Sequence, residues 1–573
     1  MTLKPKKITL VLGLLALAFL VIGGRLVQIG LNHQANSQDL IAYSSQQQGG
    51  SSITKARRGT IYDHEGQPIA MDATSYSLLA ILKHTDENLV VKDYDLTANT
   101  LAPHLGMTVD QVLEILRNPD VSQTEFGTAG RNLSQETKDQ IEAANLPGII
   151  FTQQSVRQYI NDVFASHLIG YAVFLENQAD DKADDLIGQA PILKGQIGIE
   201  AAYNPILSGQ INYQNQISQG QSQDFLSGTD LYLTLDARIQ NTLEDTMTQV
   251  QNQYQPLEMG AYLVEIPSGK LLAASQRPSF NLNTRDGIDK EWRDYLLEED
   301  FEPGSTIKIL TLATAYDQEV YTPGETFQSG SVEIFDTTIK DHNLVGWGQI
   351  SFEEGLIRSS NTAMVHLVDR IGVDNWIERL QAFGFGKTTN FGLANEIQGS
   401  LTFDNPVSKY MSAFGHAFAA TPIQLMQAYA AIANQGQMLK VQVIQGQGSK
   451  ADQYQAQNLG QIVTPQAAEY VLNLMVDTVA LDYGTAKPFA SDLVTVAAKT
   501  GTAEIANPQG TGYLTGPNDY LHSVVAFFPA ENPRYMAYIF MQQPTTTNGM
   551  LGSQLLAQIF HPLLESILVD PTN

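Results

Sequence analysis

The hydrophobic and polar positions divide the chain into one apolar N-terminal segment and a long remainder of mixed pattern. Residues 8–24 carry no charge, and the lysines before them form the basic flank that stays on the cytoplasmic side of a membrane. If the helix continues past Arg25, the segment reaches the roughly 17–25 residues that cross a bilayer. The pattern predicts a cytoplasmic tail at residues 1–7, one transmembrane helix at residues 8–30 and an extracellular remainder. A cleaved signal peptide is the alternative, but no small-residue cleavage site directly follows the apolar run.

Two polar stretches rich in Gln, Ser and Gly interrupt the remainder, at residues 44–52 and 210–228. Compositions of this kind are typical of linkers. We therefore place the main domain boundary inside the second stretch, which gives a first outer domain at residues 31–225 and a second outer domain at residues 226–573.

Local periodicity predicts both helices and strands in each outer domain, and hence an α+β multidomain protein. In the first domain it predicts a strand at residues 76–83 and helices at 108–116 and 134–144. In the second domain it predicts strands at 231–235, 260–266 and 270–275, mainly helices from 305 to 436, and strands at 493–505 and 523–528.

Composition narrows the possible functions. Lys and Arg total 33 against 60 Asp and Glu, and the resulting net charge of −27 repels phosphate backbones, which argues against nucleic-acid binding. The chain has no cysteine, so disulfides, thiolate metal sites and cysteine nucleophiles are excluded. Its 10 histidines include no His-x-x-x-His spacing, which argues against a zinc hydrolase. We expect no cofactor and no metal.

The first candidate for chemistry is Ser305-Thr306-Ile307-Lys308, which opens an apolar helical run. A serine and a lysine three residues apart share one face of a helix start, so the amine can reach the hydroxyl. The positive helix N-terminus and burial both lower the pKa of an amine, which can then act as a base near neutral pH. Ser52 and Lys55 have the same spacing, and either pair alone is a weak signal.

The second candidate is Ser359-Ser360-Asn361, which follows a helix-like stretch. In a structural interpretation it is a helix cap or a turn. In a functional interpretation Ser359 relays a proton to the leaving group, while Asn361 orients Lys308 and the substrate. Ser279-Phe280-Asn281 has the same spacing, so this motif is also weak by itself.

The third candidate is Lys499-Thr500-Gly501-Thr502, the only Lys-(Ser/Thr)-Gly of the chain, at the end of a β-branched run. Alternation places Thr500 and Thr502 on one face, and Gly501 lets another backbone lie against the strand. The edge of such a strand can pair with an extended peptide. An ordinary edge strand with a gatekeeping lysine is the alternative.

Together the three motifs supply a nucleophile, a base, a proton relay, an anion clamp and an oxyanion-stabilising backbone, which acyl transfer requires. Their order resembles that of penicillin-binding proteins and serine β-lactamases. The pedestal-like segments at residues 58–70 and 198–209, and shorter ones at 302–305, 412–415 and 433–436, resemble class B penicillin-binding proteins, so the resemblance covers nearly the whole chain. Residues 58–77 and 276–288 look most like the division-type transpeptidase of Gram-positive cocci.

The resemblance implies a penicilloyl-serine transferase fold, an antiparallel sheet flanked by helices, on a non-catalytic mixed α/β pedestal. It also implies peptidoglycan D,D-transpeptidation, in which Ser305 attacks the penultimate D-Ala carbonyl of a stem peptide and an amine of a neighbouring strand resolves the acyl-enzyme. Lys308 would be the base, although the first proton acceptor is left open.

The other motif residues receive implied roles in the same way. Ser359 would relay the proton, and Asn361 would hold the lysine and the substrate amide. The carboxylate of the substrate would bind to Lys499, Thr500, Gly501 and Thr502, and the N–H groups of Ser305 and Thr502 would form the oxyanion hole.

The resemblance further implies partners: stem peptides ending in D-Ala-D-Ala, β-lactams, the membrane through residues 8–30, a glycosyltransferase and other division proteins.

The resemblance to division-type enzymes implies a role in septal cell-wall synthesis, and side-wall synthesis is the alternative. A β-lactamase is a weaker alternative, because no Glu-x-x-Leu-Asn pattern is present to position a deacylating water. A β-lactam sensor or inactive scaffold is also weaker, because all three motifs are intact.

Three departures from the family pattern stand out. Gly415-His416-Ala417 replaces the usual Gly-Gln-Gly, and Ala498 stands where glycine is frequent. We expect altered local packing there, without loss of chemistry. Little sequence follows Lys499, so we expect no C-terminal PASTA modules.

Overall fold

The computed structural model describes residues 57–174, 193–208, 227–507 and 509–569, together with residues 19, 34–35 and 38–39. Apart from residue 19, the predicted transmembrane helix lies outside the described residues, as do the predicted linker at residues 44–52, the Ser52–Lys55 pair and nearly all of the second linker. Where the chain is described, no helix has both the length and the apolar character that a membrane span requires.

The chain forms two compact units. Residues 1–56, 183–190 and 212–225 make up one unit, and residues 57–182, 191–211 and 226–573 make up the other. The described part of the first unit includes a short antiparallel pair, β1 (Gln34–Ala35) with β2 (Gln38–Asp39). All other elements below belong to the second unit.

The strands of the second unit are β3 (Ile61–Tyr62), β4 (Pro68–Ile81), β5 (Gln123–Glu125), β6 (Ile149–Tyr159), β7 (Ala172–Phe174), β8 (Leu193–Gly195), β9 (Leu231–Leu233), β10 (Pro256–Glu265), β11 (Lys270–Arg277), β12 (Thr326–Gln328), β13 (Ser331–Ile334), β14 (Thr337–Lys340), β15 (Gln349–Ser351), β16 (Gln437–Leu439), β17 (Ile444–Gln447), β18 (Asn458–Gln461), β19 (Ala497–Glu504), β20 (Tyr520–Phe528) and β21 (Tyr535–Pro544).

The α-helices are α1 (Tyr94–Leu105), α2 (Val109–Leu116), α3 (Gln135–Ala143), α4 (Ser166–Ile169), α5 (Gly198–Ala202), α6 (Asn204–Leu207), α7 (Ala237–Tyr254), α8 (Tyr295–Glu298), α9 (Lys308–Asp317), α10 (Phe352–Ile357), α11 (Asn361–Ile371), α12 (Val373–Ala382), α13 (Pro406–Met411), α14 (Pro422–Ala433), α15 (Pro465–Ala480) and α16 (Gly552–Leu568). Short 3-10 turns lie at Glu87–Leu89, Gly127–Gly130, Gly304–Ile307, Ser412–Phe414 and Lys487–Phe489.

The first predicted outer domain, residues 31–225, is called the pedestal region below, and its described part contains the long antiparallel pair β4 and β6. The predicted helices at residues 108–116 and 134–144 are confirmed as α2 and α3, which begin after the capping residues Thr108 and Ser134. Residues 76–81 of the predicted strand at 76–83 form the second part of β4, whereas residues 82–83 lie beyond its end. The strand order of this sheet is β17-β9-β3-β4-β5, with β6 also pairing with β4, so residues on both sides of the predicted domain boundary contribute to one sheet.

The second predicted outer domain, residues 226–573, carries the three candidate motifs and is called the catalytic region below. It contains a five-stranded sheet in the order β11-β10-β21-β20-β19. All its neighbouring strands are antiparallel. Alternate residues face two separate cores: Tyr538 packs in the core that contains α9 and α14, and Ile539 packs in the core that contains α7 and α16. The expected antiparallel sheet flanked by helices is therefore confirmed.

Several predictions for the catalytic region need correction in detail. β19 begins at Ala497 and not at residue 493, and the only backbone hydrogen bond of the described residues 493–496 across this edge is from the Ala530 N–H to the Thr495 carbonyl at 2.8 Å. The mainly helical stretch between 305 and 436 also contains the hairpin β13 with β14 and the antiparallel pair β12 with β15 on either side of it in the chain. Each of these four strands is four residues or fewer, which is too short for a periodic signal.

Candidate active site

The Ser305–Lys308 motif forms a 3-10 turn, Gly304–Ile307, that continues directly into α9. The backbone N–H of Lys308 donates to the Ser305 carbonyl, so one continuous turn carries both side chains. Lys308 is fully buried, whereas Ser305 is only partly buried. The predicted helix start is thus observed, with the lysine beneath the surface and the serine closer to it.

Lys308 is anchored to the second motif. Its Nζ donates to the Ser359 carbonyl at 2.7 Å and to Asn361 Oδ1 at 2.8 Å. Ser359 has a left-handed backbone, with φ of 61°, between α10 and α11. The middle residue Ser360 caps α11 by accepting the Ala363 N–H at 3.1 Å. The cap and the functional interpretation are therefore compatible, because Ser360 forms the cap while its two neighbours contact Lys308.

Lys499 of the third motif reaches the same serine. Its Nζ donates to Ser359 Oγ at 2.9 Å and to the Thr500 carbonyl at 2.8 Å. Lys308 Nζ lies 3.3 Å from the same Ser359 Oγ. The Ser359 hydroxyl therefore lies between two amines and can pass a proton from one side of the site to the other.

The two amines are buried, and their hydrogen-bond partners are neutral groups. All five of their hydrogen bonds go to carbonyl, amide or hydroxyl oxygens. Burial lowers the pKa of Lys308 well below its usual range, and the nearby Lys499 lowers it further, while Asp341 acts in the opposite direction. Burial lowers the pKa of Lys499 to about 7. An amine that is neutral near pH 7 can accept the proton of a serine hydroxyl.

β19 lies against the turn Gly304–Ile307, which is called the nucleophile turn below because it carries the candidate nucleophile Ser305. Along the strand Lys499 and Gly501 are buried, whereas Thr500 is half-buried and Thr502 exposed, as the alternation predicts. A Cβ added to Gly501 would lie 2.4 Å from Ser523 Oγ and 3.2 Å from the Pro303 carbonyl oxygen. Only glycine therefore allows this approach of strand and turn. The strand is an edge of its sheet, which leaves its other side unpaired for an extended peptide.

Asp341 contributes to the site without having been predicted. Its carboxylate accepts hydrogen bonds from Ser360 Oγ at 2.8 Å, from the Thr362 N–H at 3.0 Å and from the Gly330 N–H at 2.8 Å. Burial raises the pKa of Asp341, but these hydrogen bonds outweigh burial and lower it. Asp341 thereby fixes the segment that presents Ser359 to the lysines. No local sequence pattern distinguishes it from other aspartates.

The second Ser-x-Asn sequence has a structural role. Asn281 Oδ1 accepts the N–H groups of Asn283 at 2.8 Å and Thr284 at 2.9 Å, and Phe280 is buried in the main core. Ser279 therefore belongs to a turn after β11. Within the described part of the chain, no group of His, Asp and Glu side chains is arranged to hold a metal ion.

Comparison with protein families identifies two domains. Residues 259–565 match the penicillin binding protein transpeptidase domain, and residues 53–231 match the penicillin-binding protein dimerisation domain. The first match alone covers more than half of the chain and includes all three motifs.

Individual relatives agree with this assignment. The chain is 24% identical to stage V sporulation protein D of Bacillus subtilis (strain 168) over 538 residues, which are 90% of this chain and 79% of that protein. It is 26% identical to peptidoglycan D,D-transpeptidase FtsI of Escherichia coli (strain K12) over 532 residues, which are 90% of this chain and 84% of that protein. The crystal structure of penicillin binding protein 2X from Streptococcus thermophilus superposes with a TM-score of 0.73 at 30% identity, covering 90% of this chain and 80% of that one.

Proposed function

The chain belongs to the penicillin-binding protein transpeptidase family, in the class B group with a dimerisation domain, and we propose that it is a serine peptidoglycan D,D-transpeptidase with Ser305 as nucleophile. The observation that carries this proposal is the contact of both buried lysines with Ser359. Lys308 directly follows the turn that carries Ser305. The contact joins three motifs that lie far apart in sequence into one acid–base network.

Acylation by the stem peptide passes through a tetrahedral oxyanion. Ser305 Oγ attacks the penultimate D-Ala carbonyl while its proton passes to the neutral amine of Lys308. The ester bond to Ser305 forms and the amide bond to the terminal D-Ala breaks. The leaving amine receives a proton through Ser359, which contacts both Lys308 and Lys499.

The substrate is held between the third motif and Asn361. Lys499, Thr500 and Thr502 bind the terminal carboxylate, and the exposed edge of β19 pairs with the peptide. The N–H groups of Ser305 and Thr502 stabilise the oxyanion. In the second step an amine of another stem peptide attacks the ester carbonyl, the new amide bond forms and the ester bond to Ser305 breaks. The proton of the attacking amine passes through Lys308 to the released Ser305 oxygen. A β-lactam acylates Ser305 in the same way.

Mass mapping of a penicillin adduct tests the proposal. Full-length protein in detergent is incubated with benzylpenicillin, digested, and searched for the mass of the intact drug on each peptide. We expect a single adduct on the peptide with Ser305, its loss in Ser305→Ala, and its retention in the control Ser279→Ala. Labelling of Ser305→Ala, or an adduct at Ser52 or Ser279, would contradict the assignment.

We also propose that residues 8–30 anchor the protein in the cell membrane, with residues 1–7 in the cytoplasm and the catalytic region outside. The uncharged run behind three lysines supports this orientation.

The resemblance of residues 58–77 and 276–288 to division-type enzymes supports a role in septal synthesis, together with a glycosyltransferase and other division proteins. A fluorescent fusion should concentrate at division sites, and uniform labelling of the side wall would favour elongation.

A further inference from the structure

Glu302, which precedes the nucleophile turn, contacts three other groups in the wall of the active site. Its Oε1 accepts the Ala417 N–H at 2.8 Å and the Tyr513 hydroxyl at 3.1 Å. Its Oε2 lies 3.2 Å from His416 Nδ1. Tyr513 belongs to the connection between β19 and β20, and the other two partners follow the turn Ser412–Phe414. One carboxylate thus connects the segment that leads into Ser305 with two other segments, residues 416–417 and the β19–β20 connection.

The backbone adds a second attachment beside the first. The Gly304 N–H donates to the Gly415 carbonyl at 3.0 Å. The two glycines pack so closely that a Cβ on Gly415 would lie 2.0 Å from the Gly304 carbonyl oxygen. Glu302 and Gly304 are therefore both fixed to the segment 415–417, one residue on each side of Pro303. Together these attachments set the position of Ser305.

The carboxylate is poised to change its charge. Burial raises the pKa of Glu302 to about 7, and the nearby Glu504 adds to the rise, while the hydroxyl of Tyr513 acts in the opposite direction. The pKa of His416 is lowered to about 4, mainly by burial, and the nearby Lys308 acts in the same direction. The imidazole is therefore neutral near pH 7. It can donate its N–H to an ionised Glu302 or accept the proton of a neutral Glu302.

We propose that Glu302 is a positioning residue for Ser305, and that loss of its proton tightens the hold of the nucleophile turn on the segment 415–417 and on Tyr513. The ionised carboxylate accepts charge-assisted hydrogen bonds from its N–H and O–H donors. The protonated acid must donate one bond to His416 and keeps weaker bonds to the remaining donors. The inference rests on the proposed acylation of Ser305 and adds a group outside the three motifs.

The test compares the wild type with Glu302→Gln, whose amide mimics the neutral acid at every pH. Full-length protein in detergent is mixed with a fluorescent penicillin at several concentrations between pH 6 and 8. Each series gives the maximal acylation rate constant and the half-saturating concentration. Lys308 and Lys499 titrate in both proteins, so their contribution cancels in the ratio of variant to wild type.

We expect the inverse of this ratio, wild type to variant, to rise from about 1.4 at pH 6 to about 5 at pH 8, with a midpoint near 7. The half-saturating concentration should stay unchanged, because Glu302 positions the nucleophile and does not hold the drug. A ratio that is constant over this pH range would overturn the inference. A wild type that is not acylated at all would instead overturn the proposed function.

A second variant keeps the inference testable if Glu302→Gln does not fold. Tyr513→Phe removes one donor to the carboxylate, so the wild-type rate should be retained at pH 6 and the rise of rate should move to higher pH. Tyr483→Phe is the matched control, because its ring is 41% exposed and stacks on Arg358, while its hydroxyl makes no hydrogen bond among the described residues. A Tyr513→Phe profile that superposes on the wild type would contradict the inference.

Discussion

Buried charges occur both in the pedestal region and in the active site, but their neighbours differ. In the pedestal region the Glu200 carboxylate accepts Arg58 Nε at 2.6 Å and Arg157 Nε at 2.7 Å. These three side chains are at most 1% exposed. In the active site Lys308 and Lys499 are just as buried, yet their hydrogen-bond partners are neutral oxygens.

The difference separates charges that hold the fold from charges that serve chemistry. Glu200 and Asp72, which lies 3.3 Å from Arg157, together balance the two guanidinium charges, and Glu200 joins the two pedestal-like segments at residues 58–70 and 198–209. Loss of one partner from such a cluster leaves uncompensated buried charge. Burial lowers the pKa of both active-site lysines, and the like charge of Lys499 lowers that of Lys308 further, so an amine becomes available as a base. We therefore expect removal of charge to destabilise the pedestal region and to stabilise the active site.

The largest expected change in stability follows from Glu200→Gln. The variant leaves Arg58 and Arg157 without their shared carboxylate, which should lower the free energy of unfolding by about 3–5 kcal/mol. Chemical unfolding of the full-length protein, followed by tryptophan fluorescence, measures this loss. Acylation of the remaining folded protein by penicillin should keep the wild-type rate, because Glu200 does not contact the active-site motifs.

An exposed ion pair provides the matched control for this variant. Glu125 lies 2.7 Å from Arg131, with side chains 45% and 50% exposed, so Glu125→Gln should change the free energy of unfolding by less than ~0.5 kcal/mol. If Glu200→Gln were as mild as Glu125→Gln, the pedestal cluster would not stabilise the fold, and the contrast with the active site would disappear.

A change of opposite sign is expected from Lys499→Met. The variant removes a buried amine and should raise the free energy of unfolding at pH 7 by about 2 kcal/mol, while strongly reducing acylation. Urea unfolding at pH 7 measures the first effect, and fluorescent penicillin measures the second. A variant that is less stable than the wild type at pH 7 would show that the hydrogen bonds of Lys499 outweigh the cost of burying it.

The gain in the free energy of unfolding from Lys499→Met should also depend on pH. The pKa of Lys499 is about 7 in the folded protein and about 10.4 in an unfolded chain, so between these values only the unfolded state binds the proton. Wild-type stability therefore rises with pH over this interval, and Lys499→Met lacks this contribution. The advantage of the variant should shrink from pH 7 to pH 9. An advantage independent of pH would contradict the lowered pKa.

Much of this site could be predicted from the sequence because its signals are local. The Ser305–Lys308 spacing fixes two side chains on one turn, and the run before Lys499 indicates a strand. The helices after Thr108 and Ser134 were predictable for the same reason, since a cap and the periodicity lie within a few residues.

The remaining features depend on long-range contacts. Asp341 bonds to Thr362, and Glu302 contacts Tyr513, which lies 211 residues away in the chain. No local pattern marks either carboxylate. The same limit applies to β17, which joins the pedestal sheet from beyond the predicted domain boundary through its pairing with β9.

The smallest expected effect concerns backbone strain beside the active site. Ala417 has a φ of 64°, a left-handed conformation that costs an alanine about 1 kcal/mol more than a glycine. Ala417→Gly should relieve that strain, but it also frees the unfolded chain, so the net gain in the free energy of unfolding should be about 0.5 kcal/mol. The backbone N–H at position 417 still donates to Glu302 in this variant, so the maximal acylation rate should remain within about twofold of the wild type. A loss of stability would mean that the Ala417 methyl group contributes packing that outweighs the strain, and the strained backbone beside Ser305 would then be a stable part of the fold.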